Sequence, residues 1–163
     1  MDATHYRIPR EWNDLTQQII GAAMRVHTAL GPGLLEKLYE DAVCIELTDM
    51  RIPFERQKPI RLEYRGRFIG DLRVDLVVNG LVVVELKAIE RILEVHKAQL
   101  LSYLRSCGIP LGLLINFNHE TLREGLTRRL NDRCDLVRSL PRLSLSPSEV
   151  SADSEIPSDE GRA

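Results

Sequence analysis

Cysteine is scarce in this 163-residue chain: Cys44, Cys107 and Cys134 are widely spaced, odd in number and form no CxxC pair. That pattern excludes a disulfide framework and a structural zinc site, and it points to reduced thiols in a cytosol. None of the four histidines stands in an HxxxH or HExxH arrangement, so any metal would have to be held by carboxylates. Aromatic residues make up only 5%, with one Trp, too few for extensive base stacking. Apolar runs such as Leu81 to Val84 and Leu111 to Ile115 fall far short of the roughly 20 residues that cross a bilayer. The polar first ten residues carry His5, Arg7 and Arg10 without an apolar core, so no secretory signal is read there and a cytoplasmic protein is expected.

What is present is an ordinary globular composition, 44% hydrophobic and 28% charged, in a length that suits one domain with one core. The formal charge of −2 is unevenly placed. Residues 141–163 hold five acids against Arg142 and Arg162, a net −3, and leave +1 for residues 1–140. The segment 141–163 is rich in Ser, Pro and acid with few large apolar groups, so it is expected to be a disordered tail behind a single domain of residues 1–140. A nearly neutral body neither requires nor excludes nucleic acid, because a local basic surface is compatible with it.

Apolar positions Leu15, Ile19, Ala22, Ala23, Val26 and Leu30 recur at helical spacing behind the N-cap candidates Asn13 and Asp14, and Gly31-Pro32-Gly33 ends that helix. A second helix is expected to bury Leu34, Leu35, Leu38, Ala42, Val43 and Leu47 and to reach about Met50, completing a helical hairpin. From Phe54 the period becomes two, with Ile60, Leu62 and Tyr64 alternating with polar residues up to a turn at Arg65-Gly66. Strands over about 68–78 and 81–87 follow, then a helix carrying Ile92, Val95, Leu100, Leu101 and Leu104, then a buried strand over Leu111 to Asn116. Residues 120–130 fit either a short helix or a helix followed by an edge strand. The order predicts an α/β fold, a mixed sheet flanked by helices, with a right-handed crossover into the strand at Leu111.

The chemistry concentrates in Gly70 to Lys87. A two-residue loop at Asn79-Gly80 would pair Val78 with Leu81 and place Glu85 and Lys87 among the core aliphatics, at several kcal/mol of desolvation. A three-residue loop, Asn79 to Leu81, reverses the parity. Leu72, Val74, Leu76, Val78, Val82, Val84 and Leu86 then share one apolar face, and Asp75, Glu85 and Lys87 gather on the other with Arg73, Val77 and Val83. That bulged register is the one expected. Paired carboxylates repel one another, and a hard divalent cation such as Mg²⁺ or Mn²⁺ is the usual way to stabilise them. A surface salt bridge between Glu85 and Lys87, with Asp75 at a strand end, is the plainer alternative.

Asp75, nine intervening residues and Glu85-Leu86-Lys87 resemble the D…(D/E)xK signature of the PD-(D/E)XK nuclease superfamily, with Val74 in place of the proline. Gly33-Leu34-Leu35-Glu36-Lys37-Leu38-Tyr39 resembles the motif of the GxxExxY family within it, and the likeness runs from about Ile19 to Leu130. It takes in Val26-His27, His96 to Leu104 and Gly112 to Phe117. The resemblance implies a restriction-endonuclease-like core behind the N-terminal helical hairpin. It implies a Mg²⁺-dependent (or Mn²⁺-dependent) nuclease acting on nucleic acid, DNA in the first place. Glu36, Asp75 and Glu85, with the Leu86 carbonyl, would hold the metal, and Lys87 would activate water and offset transition-state charge. Gln99 and Tyr103 resemble a QxxxY motif that lines the site, although a buried polar pair bridging helix and sheet explains them as well.

Other residues take plainer roles: His27 and His96 are read as structural, Tyr39 as packing beneath Glu36, and Asp71 as a bend residue that could replace Asp75 only by strand slippage. Arg61, Arg65, Arg67 and Arg73, with Arg123, Arg128 and Arg129, are either phosphate contacts or a solvated surface. A homodimer is among the expectations, since a small nuclease of this kind often closes its groove with a second subunit. The alternative to an enzyme is a catalytically silent module of the same fold that binds nucleic acid or a protein partner.

Overall fold

A computed structural model describes residues 6–143, so most of the acidic segment 141–163 lies outside the described residues. Helix α1 spans Arg10–Leu30 and α2 spans Glu36–Asp49. Strands β1 (Phe54–Tyr64), β2 (Arg67–Val78), β3 (Val82–Lys87), β4 (Leu111–Asn116) and β5 (Leu126–Leu130) form one mixed sheet in that spatial order. Helix α3, Glu94–Cys107, connects β3 to the parallel β4, and a 3-10 turn over Leu122–Gly125 leads into β5. The sequence pattern announces neither the last short helix, α4 (Asp135–Arg138), nor the bridge that joins Tyr6 to Arg142. Among the described residues no helix is long and apolar enough to cross a membrane.

Two cores lie on the two sides of the sheet. On one, Ile19, Ala23 and Val26 of α1 and Tyr39, Val43 and Leu47 of α2 pack on Leu76, Val78, Val82, Val84 and Leu86. On the other, Leu100, Tyr103 and Leu104 of α3 pack on Ile60, Val74, Val77, Val83 and Leu114. Strands covered on both faces become almost continuously apolar, which is why every residue of β4 is buried. Residues 122–130 settle as the turn followed by an edge strand, the second of the two expected alternatives.

The hairpin between β2 and β3 has the bulged register: Val78 pairs with Val82 and Leu76 with Val84, with Asn79 and Gly80 at positive φ in the loop. The wholly apolar face expected to run from Leu72 to Leu86 is nevertheless divided. Leu72 and Val74 belong with α3, whereas Leu76 and Val78 belong with α1 and α2. The switch falls at Asp75, where the opposing Gln57 has φ 50 and the β1–β2 pairing passes from Arg56↔Leu76 to Lys58↔Val74 without joining them. A residue in the left-handed region turns the strand and re-aims the side chains beyond it.

Three helical expectations need correction. Helix α1 starts at Arg10 behind Pro9 rather than at Asn13 or Asp14, because the fixed φ of proline suits the position just before a helix. Leu30 is its exposed last residue. Leu34, Leu35 and Leu38 are exposed as well, since α2 begins only at Glu36 and its inward stripe is Tyr39, Glu40, Val43, Cys44 and Leu47.

Candidate active site

Antiparallel pairing of β2 with β3 stops at Leu76↔Val84, and the two strands diverge at the next residue. A ladder that opens in this way leaves backbone N–H groups in need of acceptors in a buried setting. Two carboxylates supply them: the Leu86 N–H donates to Asp75 Oδ2 at 2.8 Å and the Asp75 N–H donates to Glu85 Oε1 at 3.2 Å. Asp75 and Glu85 are thereby fixed side by side in the fork, with Glu85 5% exposed. Lys87 Nζ stands 3.7 Å from Glu85 Oε2, the side of that carboxylate left free by the backbone contact.

Glu36 reaches the fork from the helical hairpin. It opens α2 in the first turn, where the positive end of the helix dipole favours a carboxylate. The turn before it is held by Tyr39, whose hydroxyl donates to the Gly31 carbonyl at 2.6 Å and accepts from the Leu34 N–H at 3.1 Å. The Tyr39 ring stacks on Phe117 at 4.4 Å. Gly33, at φ 99, takes a backbone conformation that a side chain would strain. Glycine for the turn, glutamate at the helix start and tyrosine as the staple thus have separate physical reasons.

The electrostatics of the cluster follow from crowded acids. Burial, then the neighbouring Asp75 charge, push Glu85 up to about 8, while Lys87 works in the other direction. Asp75 is raised chiefly by burial, against the Leu86 amide and Lys87. Glu36 is raised by burial and by Asp75, with Lys87 and the Ala88 amide opposing. Tyr103, on α3, is raised by burial and then by the Glu85 charge, with the Gln99 hydrogen bond opposing.

Sequence reasoning overlooked a second acidic residue on α2. Glu40 is 6% exposed and lies one turn after Glu36. Arg56 binds both Glu40 and Asp41, and the Gln57 amide donates to Glu40 Oε2 at 2.8 Å and to Asp75 Oδ1 at 3.4 Å. Gln57 is the residue whose positive φ turns β1, so the same backbone irregularity that re-aims the strand ties α2 to Asp75. The available signal was the i, i+4 spacing of Glu36 and Glu40, with Glu40 inside the apolar stripe beside Tyr39.

Gln99 donates to the Tyr103 hydroxyl at 2.7 Å, but Gln99 is exposed, so the pair runs from the surface to the cluster rather than lying wholly inside. His96 accepts the Leu93 N–H at 2.9 Å and caps α3, and His27 bonds the His119 carbonyl at 2.8 Å. Asp71 is exposed and paired with Arg61, a fixed register that rules out slippage into the place of Asp75. Arg128 is half-buried and donates to Asn13 at 2.9 Å, which makes it a packing residue rather than a free phosphate contact.

The donor set suits a hard divalent cation: three carboxylates face one ammonium, and their proton affinities are raised first by burial and then by their neighbours' charges, so a bound cation would favour their ionised forms. Among the described residues no three such groups are already closed on a common point, and Asp75 Oδ2 and Glu85 Oε1 are occupied by backbone amides. Asp75 Oδ1 and Glu85 Oε2 are the fork oxygens without a backbone amide bonded to them, and the Glu36 carboxylate is held by the Ala88 amide.

A helical pair, a forked mixed sheet and an acid-acid-lysine cluster at the fork define a nuclease-type core. A family model for the PD-(D/E)XK nuclease superfamily matches residues 13–129, and the chain belongs to that superfamily. No curated protein and no solved structure matches the chain.

Proposed function

We propose that the protein is a Mg²⁺- or Mn²⁺-dependent nuclease of the GxxExxY type that hydrolyses phosphodiester bonds in DNA. The observation that carries this reading is the fork itself, where Asp75, Glu85 and Lys87 meet with Glu36 supplied by a separate layer. Glu36, Asp75 and Glu85 would hold the cation, with the Leu86 carbonyl as a further oxygen. A cation held there would supply a water of lowered pKa and positive charge opposite the phosphate. The chain's own contribution is positional. The amides of Asp75 and Leu86 keep the two strand carboxylates from rotating. Lys87 presents a positive charge where the pentacovalent phosphate gathers negative charge. Gln99 and Tyr103 form the wall towards α3 and contact the substrate. Three free cysteines, Cys44, Cys107 and Cys134, fit a reducing cytoplasm.

The test is cleavage of double- and single-stranded DNA and of RNA by the full chain with Mg²⁺ or Mn²⁺. Asp75→Ala and Lys87→Ala are each expected to lower cutting at least ~100-fold, the order of effect seen when one electrostatic group is removed from a catalytic site. Cutting that persists in both variants would refute the assignment. Mn²⁺ binding without cutting of any of these would favour the catalytically silent module.

A further inference from the structure

Beyond the fork the β1–β2 hairpin continues alone. Strand β3 pairs only with Leu76 to Val78, so residues 58–64 and 67–74 form a two-stranded arm that extends past it. From Asp75 to the tip at Arg67 is eight residues, about 26 Å at 3.3 Å per residue. One side of the arm is anchored, with Ile60 and Val74 buried under α3. The other side carries Arg73 and Arg61, then Phe68, and the strand alternation puts them on the face that runs on to Asp75. The guanidinium of Arg61 lies over the Phe68 ring at 4.4 Å, which fixes both on that face. At the tip a two-residue turn, Arg65-Gly66, is flanked by Tyr64 and Arg67.

Two properties of this arm are costly without a partner. Tyr64 is 61%, Phe68 50% and Ile69 61% exposed, three large apolar side chains at the end of a projecting ribbon. Between Ile60 and Arg73 four arginines also stand against Glu63 and Asp71, a net +2, although residues 1–140 together carry only +1. Arg65, Arg67 and Arg73 have no carboxylate partner among the described residues. The positive charge of the domain is therefore concentrated on the arm, and the remainder is slightly acidic.

We infer that the β1–β2 arm is a grip for a nucleic-acid duplex, which it holds against the fork. The inference rests on the nuclease reading, since it takes the occupant to be the substrate. A two-stranded ribbon is the β element that a major groove admits. Arginines spread over about 20 Å, the six residues from Arg73 to Arg67, match about six base pairs of phosphate, and apolar side chains at a tip match the wedges that proteins press between base steps. A single-strand platform would instead need rings repeated along the track, and here the exposed rings are confined to the tip.

The experiment measures binding and cutting separately. Full-length protein, Arg65→Ala/Arg67→Ala and Tyr64→Ser/Phe68→Ser are titrated against a labelled 20-base-pair DNA duplex and its single strand without divalent metal, across a salt series. Thermal midpoints confirm that the variants fold. Each pair is expected to weaken duplex binding about tenfold or more, and loss of the arginine pair to lower the slope of log affinity against log salt by about 2. Asp75→Asn is expected to bind the duplex and fail to cut it. The inference is overturned if the arm variants bind duplex as the parent does, if the parent binds no duplex, if only single-strand binding depends on the arm, or if the arm variants change the oligomeric state instead. Arm-dependent duplex binding by a protein that cuts nothing would sink the nuclease reading and leave the arm standing.

Discussion

Glu85 is the most consequential single residue, because its proton decides the charge of the fork. Its carboxyl is held near 8 in the folded chain against an ordinary value of 4.5, so folding takes up a proton between those limits. A raised acid stabilises the fold fully below the unfolded value and loses that contribution as pH rises through the folded one. Asp75 and Glu36 are shifted in the same direction. Metal-free protein is therefore expected to lose stability from about pH 5 to pH 8, on the order of a few kcal/mol, and Glu85→Gln should flatten that decline. Melting curves at pH 5, 6, 7 and 8 check this, and a parent whose midpoint rises over that range would contradict it. At this scale the bulged register that sets Asp75 beside Glu85 could be read from parity, but the burial of Glu85, 5% exposed, could not, because parity favours that register for keeping charge out of the core. Arg56 and Gln57 could not be placed either, because their roles depend on a positive φ at a glutamine that no residue preference announces, and Glu40 left only its i, i+4 spacing from Glu36.

The loop that follows Lys87 is fixed by β4 rather than by its own sequence. Asn116, fully buried at the end of β4, donates from Nδ2 to the Ile89 carbonyl at 2.7 Å and accepts the Ile89 N–H at 3.1 Å. The Phe117 N–H donates to the Lys87 carbonyl at 2.8 Å. Asn116→Ala removes these two bonds and a longer one from the Asn118 N–H at 3.4 Å, and it orphans both backbone groups of Ile89 in a half-buried loop, which should cost about 2–4 kcal/mol. Urea unfolding with an unchanged m value is the appropriate measurement, and a midpoint within error of the parent would show that the loop finds other partners. Element by element, the strands were the legible portion, since the two-residue period, the Arg65-Gly66 turn and the buried run of β4 all appear in the structure. The start of α2 was misjudged because Leu34 and Leu35 look like core in a pattern, whereas the Tyr39 staple delays the helix to Glu36 and leaves them outside. The 3-10 turn and α4 are too short to register as periodicity, and tertiary contacts hold them.

Across the whole molecule the candidate site is the place where the two cores meet. Glu36 and Glu40 belong to the α1–α2 layer, Tyr103 to the α3 layer, and Asp75, Glu85 and Lys87 to the sheet between them. A ligand that bridges Glu36 to Asp75 and Glu85 would tie one helical layer to the sheet, so binding there should raise the stability of the entire domain. A ligand selective for the folded state contributes RT ln(1 + [L]/Kd), or about 2.7 kcal/mol at a hundredfold excess over Kd. The protons held by the raised carboxyls compete with a cation, so affinity for Mn²⁺ should be weak at pH 6, climb towards pH 8 and be accompanied by proton release. Calorimetric titration in two buffers of different ionisation enthalpy measures that release, and thermal melts at 1 mM Mn²⁺ measure the stabilisation. Glu36→Gln separates the layers: it should reduce both the affinity and the gain in midpoint while leaving the metal-free midpoint nearly unchanged or slightly raised, because it removes one of the crowded acids. Mn²⁺ that bound equally well to Glu36→Gln would confine the cation to the sheet and remove the helical hairpin from the proposed centre.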